Sequence, residues 1–190
     1  MHTHRRSGLD RRKLSLQSDE RRKTKDRREL LQDFDHTYPM YQRIPIFSDL
    51  TKDQLASIIR ICTKKKHEEK QKIFDIGEDP SYMTILLEGE IILKFISGVK
   101  WQSITPPATV GEMEFFTGKN RCSSVVTETD CTVLNINGKE FFSLLNKNAD
   151  LGNGIYLNVI KDLSSKLQNA NEKIDELYGG LFRCTENTYH

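Results

Sequence analysis

Long apolar runs are missing from this chain. No stretch approaches the roughly 18 to 20 consecutive apolar residues of a membrane-spanning helix, and the N-terminus carries arginines where a secretory signal has its apolar core. These absences point to a cytoplasmic protein without membrane contact. Cysteine is scarce as well. Cys62, Cys122, Cys131 and Cys184 are scattered, with no C-x-x-C pair and no Cys/His cluster, so neither a disulfide framework nor a metal site is indicated and all four are expected as reduced thiols. His2, His4, His36, His67 and His190 fall near no Ser or Cys in a recognisable motif, so no catalytic constellation is visible and the expectation is a protein that is not an enzyme. A length of 190 residues allows one ordinary domain with extensions and excludes a large multidomain enzyme.

Charge, by contrast, is plentiful and unevenly placed. The chain has 29 Lys+Arg and 27 Asp+Glu, a formal net charge of +2. Residues 1–28 alone hold eleven bases and four acids, hence +7, leaving 18 bases and 23 acids, hence −5, for the remainder. Such asymmetry between segments suggests separate roles. The basic arm contains a repeat, RR-x-x-x-D-RR, at residues 5–12 and again at residues 21–28. Leu9, Leu14 and Leu16 are too few apolar residues to offset the entropy of ordering it, so the arm reads as disordered when free. Arg5, Arg6, Arg11, Arg12, Arg21, Arg22, Arg27 and Arg28 are its candidate contacts to an anionic partner, whether protein, nucleic acid or a cyclic dinucleotide. Without interleaved aromatics, attraction to nucleic acid would be mainly electrostatic.

From residue 29 to 50 apolar and aromatic residues return, broken by Pro39 and Pro45, which fits a helical lead-in. Thr51 and Gln54 have capping-box spacing, followed by Leu55, Ile58, Ile59 and Cys62 at helical intervals, which predicts an amphipathic helix ending near Thr63. From about Lys65 to Asn137 the period changes. Runs at residues 72–76, 84–87, 91–96, 123–127 and 131–136 are β-rich and punctuated by glycines and prolines, and predict an antiparallel sandwich or barrel. Helical pattern returns at residues 139–145 and again at residues 155–178. In the last segment Tyr156, Ile160, Leu163, Leu167, Ala170, Ile174 and Leu177 alternate spacings of four and three, a coiled-coil seam that predicts a homodimer through residues 155–178. The alternative is one apolar stripe lying on the chain's own barrel.

The stretch richest in chemistry is residues 111–125, GEMEFFTGKNRCSSV. Residues 112–116 have the composition of one helical turn inside a β-rich region. A turn starting after Gly111 aims unpaired N–H groups outward toward one phosphate, and Arg121 adds a guanidinium fork for the same anion. Glu112 at its mouth could accept hydrogen bonds from a sugar hydroxyl, and Gly111 permits a close backbone approach.

Gly111-Glu112-Met113-Glu114-Phe115-Phe116, with Arg121 followed by small residues, resembles the phosphate-binding cassette of the cyclic nucleotide-binding domain family. The segments at residues 46–51, 73–78 and 85–91 and the long terminal helix are similar to the family's entry helix, glycine-marked strand turns and dimerising helix. The likeness spans about residues 44–178 and is of the catabolite activator protein-like kind, without a helix-turn-helix domain, since only 12 residues follow Tyr178 and such a domain needs roughly 60. It implies a mainly β fold with flanking α elements: an antiparallel β-barrel of double-stranded β-helix or jelly-roll type, a short phosphate-binding helix and a long C-terminal dimerisation helix. It also implies cAMP or cGMP as ligand, with Glu112 on the ribose 2′-hydroxyl and Arg121 on the cyclic phosphate. Gly111 and the amides near Met113 would line the pocket, Cys122 and Ser123 would follow the arginine, and Asn171 would reach the base. Cys122 stands where the family has Ala, Ser or Thr, and Asn120 where it often has proline.

The expected organisation is therefore an arm (1–28), a lead-in (29–50), a cyclic nucleotide-binding barrel (51–150), a dimer helix (151–178) and a tail (179–190). The expected function is a cytoplasmic, non-DNA-binding sensor that signals to a partner through helix repacking. The alternative is a ligand-free scaffold of the same fold whose arm docks an anionic partner.

Overall fold

In the computed structural model, residues 30–32, 34–98 and 100–186 are described, so the basic arm with all eight proposed partner arginines and the tip of the tail lie outside the described residues. Helix α1 (Phe34–Gln42) and a 3-10 turn at Pro45–Phe47 lead into helix α2 (Lys52–Ile59). Thr51 caps α2 as its sequence predicts: the Gln54 amide donates to Thr51 Oγ1 at 3.3 Å and the Thr51 amide donates to Gln54 Oε1 at 2.9 Å. The helix stops earlier than expected, at Arg60, and Cys62 opens the first strand instead of closing the helix. Its side chain is still fully buried, which is why it fitted a helical apolar face equally well.

Among the described residues eight strands follow: β1 (Cys62–His67), β2 (Lys72–Phe74), β3 (Tyr82–Glu88), β4 (Ile91–Lys94), β5 (Lys100–Ile104), β6 (Ala108–Val110), β7 (Ser124–Thr127) and β8 (Cys131–Asn137). Helix α3 (Glu112–Thr117) interrupts them between β6 and β7, and helices α4 (Gly138–Lys147) and α5 (Ala149–Glu186) close the chain. All pairing is antiparallel, in two four-stranded sheets ordered β1-β8-β3-β6 and β2-β7-β4-β5. The jelly-roll expectation holds for strand content and direction, but among the described residues the ladders stay as two sheets and do not close into a barrel.

The central strands are buried on both faces, so they read as continuous apolar runs. Along β3, Met83 and Ile85 face the helical layer while Leu86 faces the second sheet; along β8, Leu134 and Ile136 face the helices and Val133 the second sheet. This period of two divides the interior into a larger core shared with the helices and a smaller core between the sheets. Thr84 and Asn135, paired across the two strands, satisfy each other at 2.9 Å.

Helix α5 is one continuous element of 38 residues, roughly 57 Å at 1.5 Å per residue. Its first four turns pack through Leu151, Ile155 and Val159, and Asn158 Nδ2 donates to the Ser48 carbonyl at 2.6 Å, tying the helix to the 3-10 turn. The predicted seam lies mostly on another face: Tyr156, Ile160, Leu167 and Ile174 are exposed, and Leu163 alone packs partly on the core. Leu177's side chain is outside the described set.

Candidate functional site

The local fold at residues 111–125 follows from its two glycines and its aromatic pair. Gly111 takes φ +76° at the start of α3 and Gly118 takes φ +69° at its end, conformations that other residues adopt only under strain. Between them Phe115 and Phe116 turn toward α4 and α5. Phe115 stacks on Phe142 at 5.2 Å and lies 5.5 Å from Phe141, and Phe116 meets Tyr156 of α5 edge-on at 6.4 Å. The short helix is thus fastened by one face, which leaves its two glutamates to face elsewhere.

Arg121 is held by its own backbone before its side chain is considered. Its amide donates to the Glu78 carbonyl at 2.9 Å and its carbonyl accepts from the Gly77 amide at 2.8 Å, so the turn at residues 77–78 fixes where the side chain starts. The guanidinium then enters the interior, with its carbon 4.1 Å from the Phe74 ring centroid and 5.5 Å from that of Tyr82. Nη1 donates to the Gly111 carbonyl at 2.7 Å, Nη2 donates to the Tyr82 carbonyl, and Nε is buried without a partner among the described residues. The residue is 2% exposed, which matters because a buried cation needs a counter-charge.

That counter-charge is Glu114. Its Oε2 lies 3.6 Å from Arg121 Nη1, and its Oε1 accepts the Cys122 amide at 3.2 Å. Burial works against the ionised Glu114, but hydrogen bonding from Cys122 and the Arg121 charge outweigh it and its pKa lies below the ordinary glutamate value. Burial pushes the Cys122 thiol up to about 11, reinforced by the neighbouring Glu114 carboxylate, so it stays protonated at neutral pH.

Glu112 faces the opposite way, toward α5. Lys166 Nζ donates to Glu112 Oε1 at 2.5 Å and is 2.8 Å from Asp162 Oδ2 one turn earlier on the same helix. Burial lowers the Lys166 pKa, but the Glu112 charge and hydrogen bonds to Asp162 and Glu112 outweigh it, so the net shift is upward and the ammonium stays charged.

The structure therefore gathers Gly111, Glu112, Met113, Arg121, Cys122 and Ser123 around one short helix. Met113 is exposed beside it, whereas Glu112 and Arg121 are both buried. What approaches Gly111 is the Arg121 guanidinium: a Cβ at residue 111 would sit 2.9 Å from its carbon. Asn171 is exposed on α5, five residues beyond Lys166 and so about 7.5 Å further along the axis. Glu114, Lys166 and Asp162 had not been singled out from sequence. A signal for Glu114 was available: two glutamates two residues apart on one helical turn point about 200° apart, so one must turn inward if the other faces a ligand. Lys166 carried no such signal. Among the described residues no group of three or more His, Cys, Asp or Glu could hold a metal, and no helix is long and apolar enough to cross a membrane.

Residues 64–148 match the family model described as "Cyclic nucleotide-binding domain". Glutaminase 2 of Bradyrhizobium diazoefficiens is 24% identical over 132 residues, 70% of this chain and 21% of its own length. The chain spans about a fifth of the length of the curated relatives it matches. A candidate cyclic nucleotide-binding protein from Geobacter metallireducens is similar at TM-score 0.57 and 26% identity, covering 64% of this chain and 91% of its own. A cyclic nucleotide-binding domain from Methylobacillus flagellatus is similar at TM-score 0.66 and 18% identity, covering 76% and 84%.

Proposed function

The chain carries, over residues 64–148, a domain of the cyclic nucleotide-binding family, and from that premise we propose that it senses cAMP or cGMP and passes the signal through α5. The observation that carries this reading is the ion pair between Glu112 of the cassette and Lys166 of the terminal helix. Glu112 has one charge and two claimants. A ribose hydroxyl donating to it would take acceptor capacity away from the Lys166 ammonium, and α5 would lose a tether that holds its middle to α3. Because Phe116 touches Tyr156 of the same helix, movement of α3 toward a bound phosphate would reach α5 at a second point. Ligand then shifts α5 between two packings to the extent that it binds one of them better.

The protein acts in this reading as a regulator and not as an enzyme. A match to a fifth of a glutaminase's length is too short to carry that activity across. The exposed row of Tyr156, Ile160, Leu167 and Ile174 supports a homodimer, and Leu167→Glu would then sediment as a monomer where the unchanged chain is a dimer. The arm's +7 charge supports docking to an anionic partner, which deletion of residues 1–28 would abolish.

Calorimetry with cAMP and with cGMP on the full chain tests the central reading. Binding heat is expected, with affinity falling about ten- to a hundred-fold in Glu112→Gln, since a hydrogen bond to a charged acceptor is lost. No heat at millimolar nucleotide, or binding indifferent to Glu112→Gln, would overturn it.

A further inference from the structure

We infer that Glu114 is a built-in anion that occupies the seat a cyclic phosphate would take, so that ligand must displace this side chain in order to bind. The inference rests on the nucleotide-sensing reading of the same site and adds how that site is regulated. Its ground is the pairing of Glu114 with two groups a bound phosphate would use. Oε1 accepts the Cys122 amide at 3.2 Å, and Oε2 sits 3.6 Å from Arg121 Nη1. One carboxylate oxygen is thus hydrogen-bonded to, and the other lies near, an anion-binding group on the segment that follows α3.

Three further observations fit a temporary occupant better than a permanent one. The carboxylate is close to the guanidinium but beyond hydrogen-bond distance, and the fork's own hydrogen bonds go to the Gly111 and Tyr82 carbonyls. Among the described residues Arg121 Nε is left buried and unpartnered, a donor that the carboxylate does not satisfy. The partner amide belongs to Cys122, an exposed residue, so the Glu114 side chain, itself 6% exposed, is paired next to a position that solvent reaches. A buried carboxylate is an effective competitor because it is attached: it meets the seat at high local concentration and leaves only when a better-matched anion replaces it. An anion with more oxygens than a carboxylate can engage the Cys122 amide and the idle Nε–H together. Glu114 therefore sets a threshold, holding the empty site neutral and raising the nucleotide concentration needed to fill it.

The test compares the full wild-type chain with Glu114→Ala and Glu114→Gln by calorimetry with cAMP and cGMP, with thermal melts to show that each variant is folded. Glu114→Ala removes the competing anion and is expected to bind about ten-fold or more tightly than wild type. Glu114→Gln keeps an acceptor for the Cys122 amide without the charge and is expected to fall between them. A residue that only holds the fold together would not raise affinity when removed. Equal or weaker binding by both folded variants overturns the inference and leaves the sensor reading intact. A silent wild-type chain beside a binding Glu114→Ala chain supports the inference and overturns the unmodified chain's role as a sensor. Silence from all three overturns both.

Discussion

The two halves of the cassette solve the same problem, a buried charge, in different ways. In the inner half Arg121 is wholly enclosed, flanked by the Phe74 and Tyr82 rings, and bound to main-chain carbonyls, with Glu114 as counter-ion. In the outer half Glu112 is paired with Lys166, whose side chain is 47% exposed and arrives from a separate helix. Loss of Arg121 strands Glu114 inside the protein, whereas Glu114 can yield its place beside Arg121 only to another anion. The outer half can exchange Lys166 for water or ligand. The difference teaches that one short segment can hold an enclosed ion pair and a half-exposed one in neighbouring residues, the first facing inward and the second facing α5.

The comparison breaks most visibly at Arg121. Arg121→Ala strands Glu114 and two main-chain carbonyls and is expected to destabilise the chain by about 3–5 kcal/mol in urea unfolding, as for other buried pairs that lose one partner. A loss below about 1 kcal/mol would place Arg121 outside the enclosed pair. Gly111→Ala should come next, near 2–4 kcal/mol, because the new Cβ meets the guanidinium in a left-handed backbone conformation. Melting temperatures unchanged in that variant would mean that the guanidinium yields freely.

Acid should act on the inner half through Glu114. Glu114's folded pKa is depressed, so its contribution is complete above the ordinary carboxylate value of about 4.3 and disappears as pH falls through the lower folded value. Urea midpoints measured from pH 5 to pH 3 should therefore converge for wild type and Glu114→Gln; a constant gap would contradict the pairing. The smallest effect belongs to the outer half. Lys166→Ala is expected to cost about 1–2 kcal/mol, since it leaves the buried Glu112 carboxylate without a cation that is itself half exposed, and to tighten nucleotide binding about two- to five-fold by removing Glu112's competitor. Weaker binding in that variant would make Lys166 a ligand contact instead of a competitor.

Much of this arrangement was legible in residue order because it is local. The Thr51 to Gln54 box, the turn between Gly111 and Gly118, and the apolar runs of β3 and β8 each need only neighbours along the chain to be recognised. The strands β5 and β6 were not, since Lys100–Ile104 is an edge strand of mixed polarity and Ala108–Val110 has three residues. Closure was misjudged for a related reason: short strands and glycines specify antiparallel pairing but not whether two sheets join at their edges. At the site, Gly111, Glu112 and Arg121 could be picked out by residue type, yet their present partners could not. Glu112 meets a lysine 54 positions away, a juxtaposition that exists only once α5 has packed.

Hydrogen exchange along α5 with and without nucleotide tests the central claim most directly. With cAMP or cGMP bound, amides around Lys166, from about residue 162 to 170, are expected to exchange faster than in the free chain, while those around Ile155 and Val159 keep their protection in the core. Unchanged exchange across residues 162–170 in a chain demonstrably saturated with nucleotide would contradict the account, because ligand would then occupy the cassette without loosening the helix that Glu112 holds.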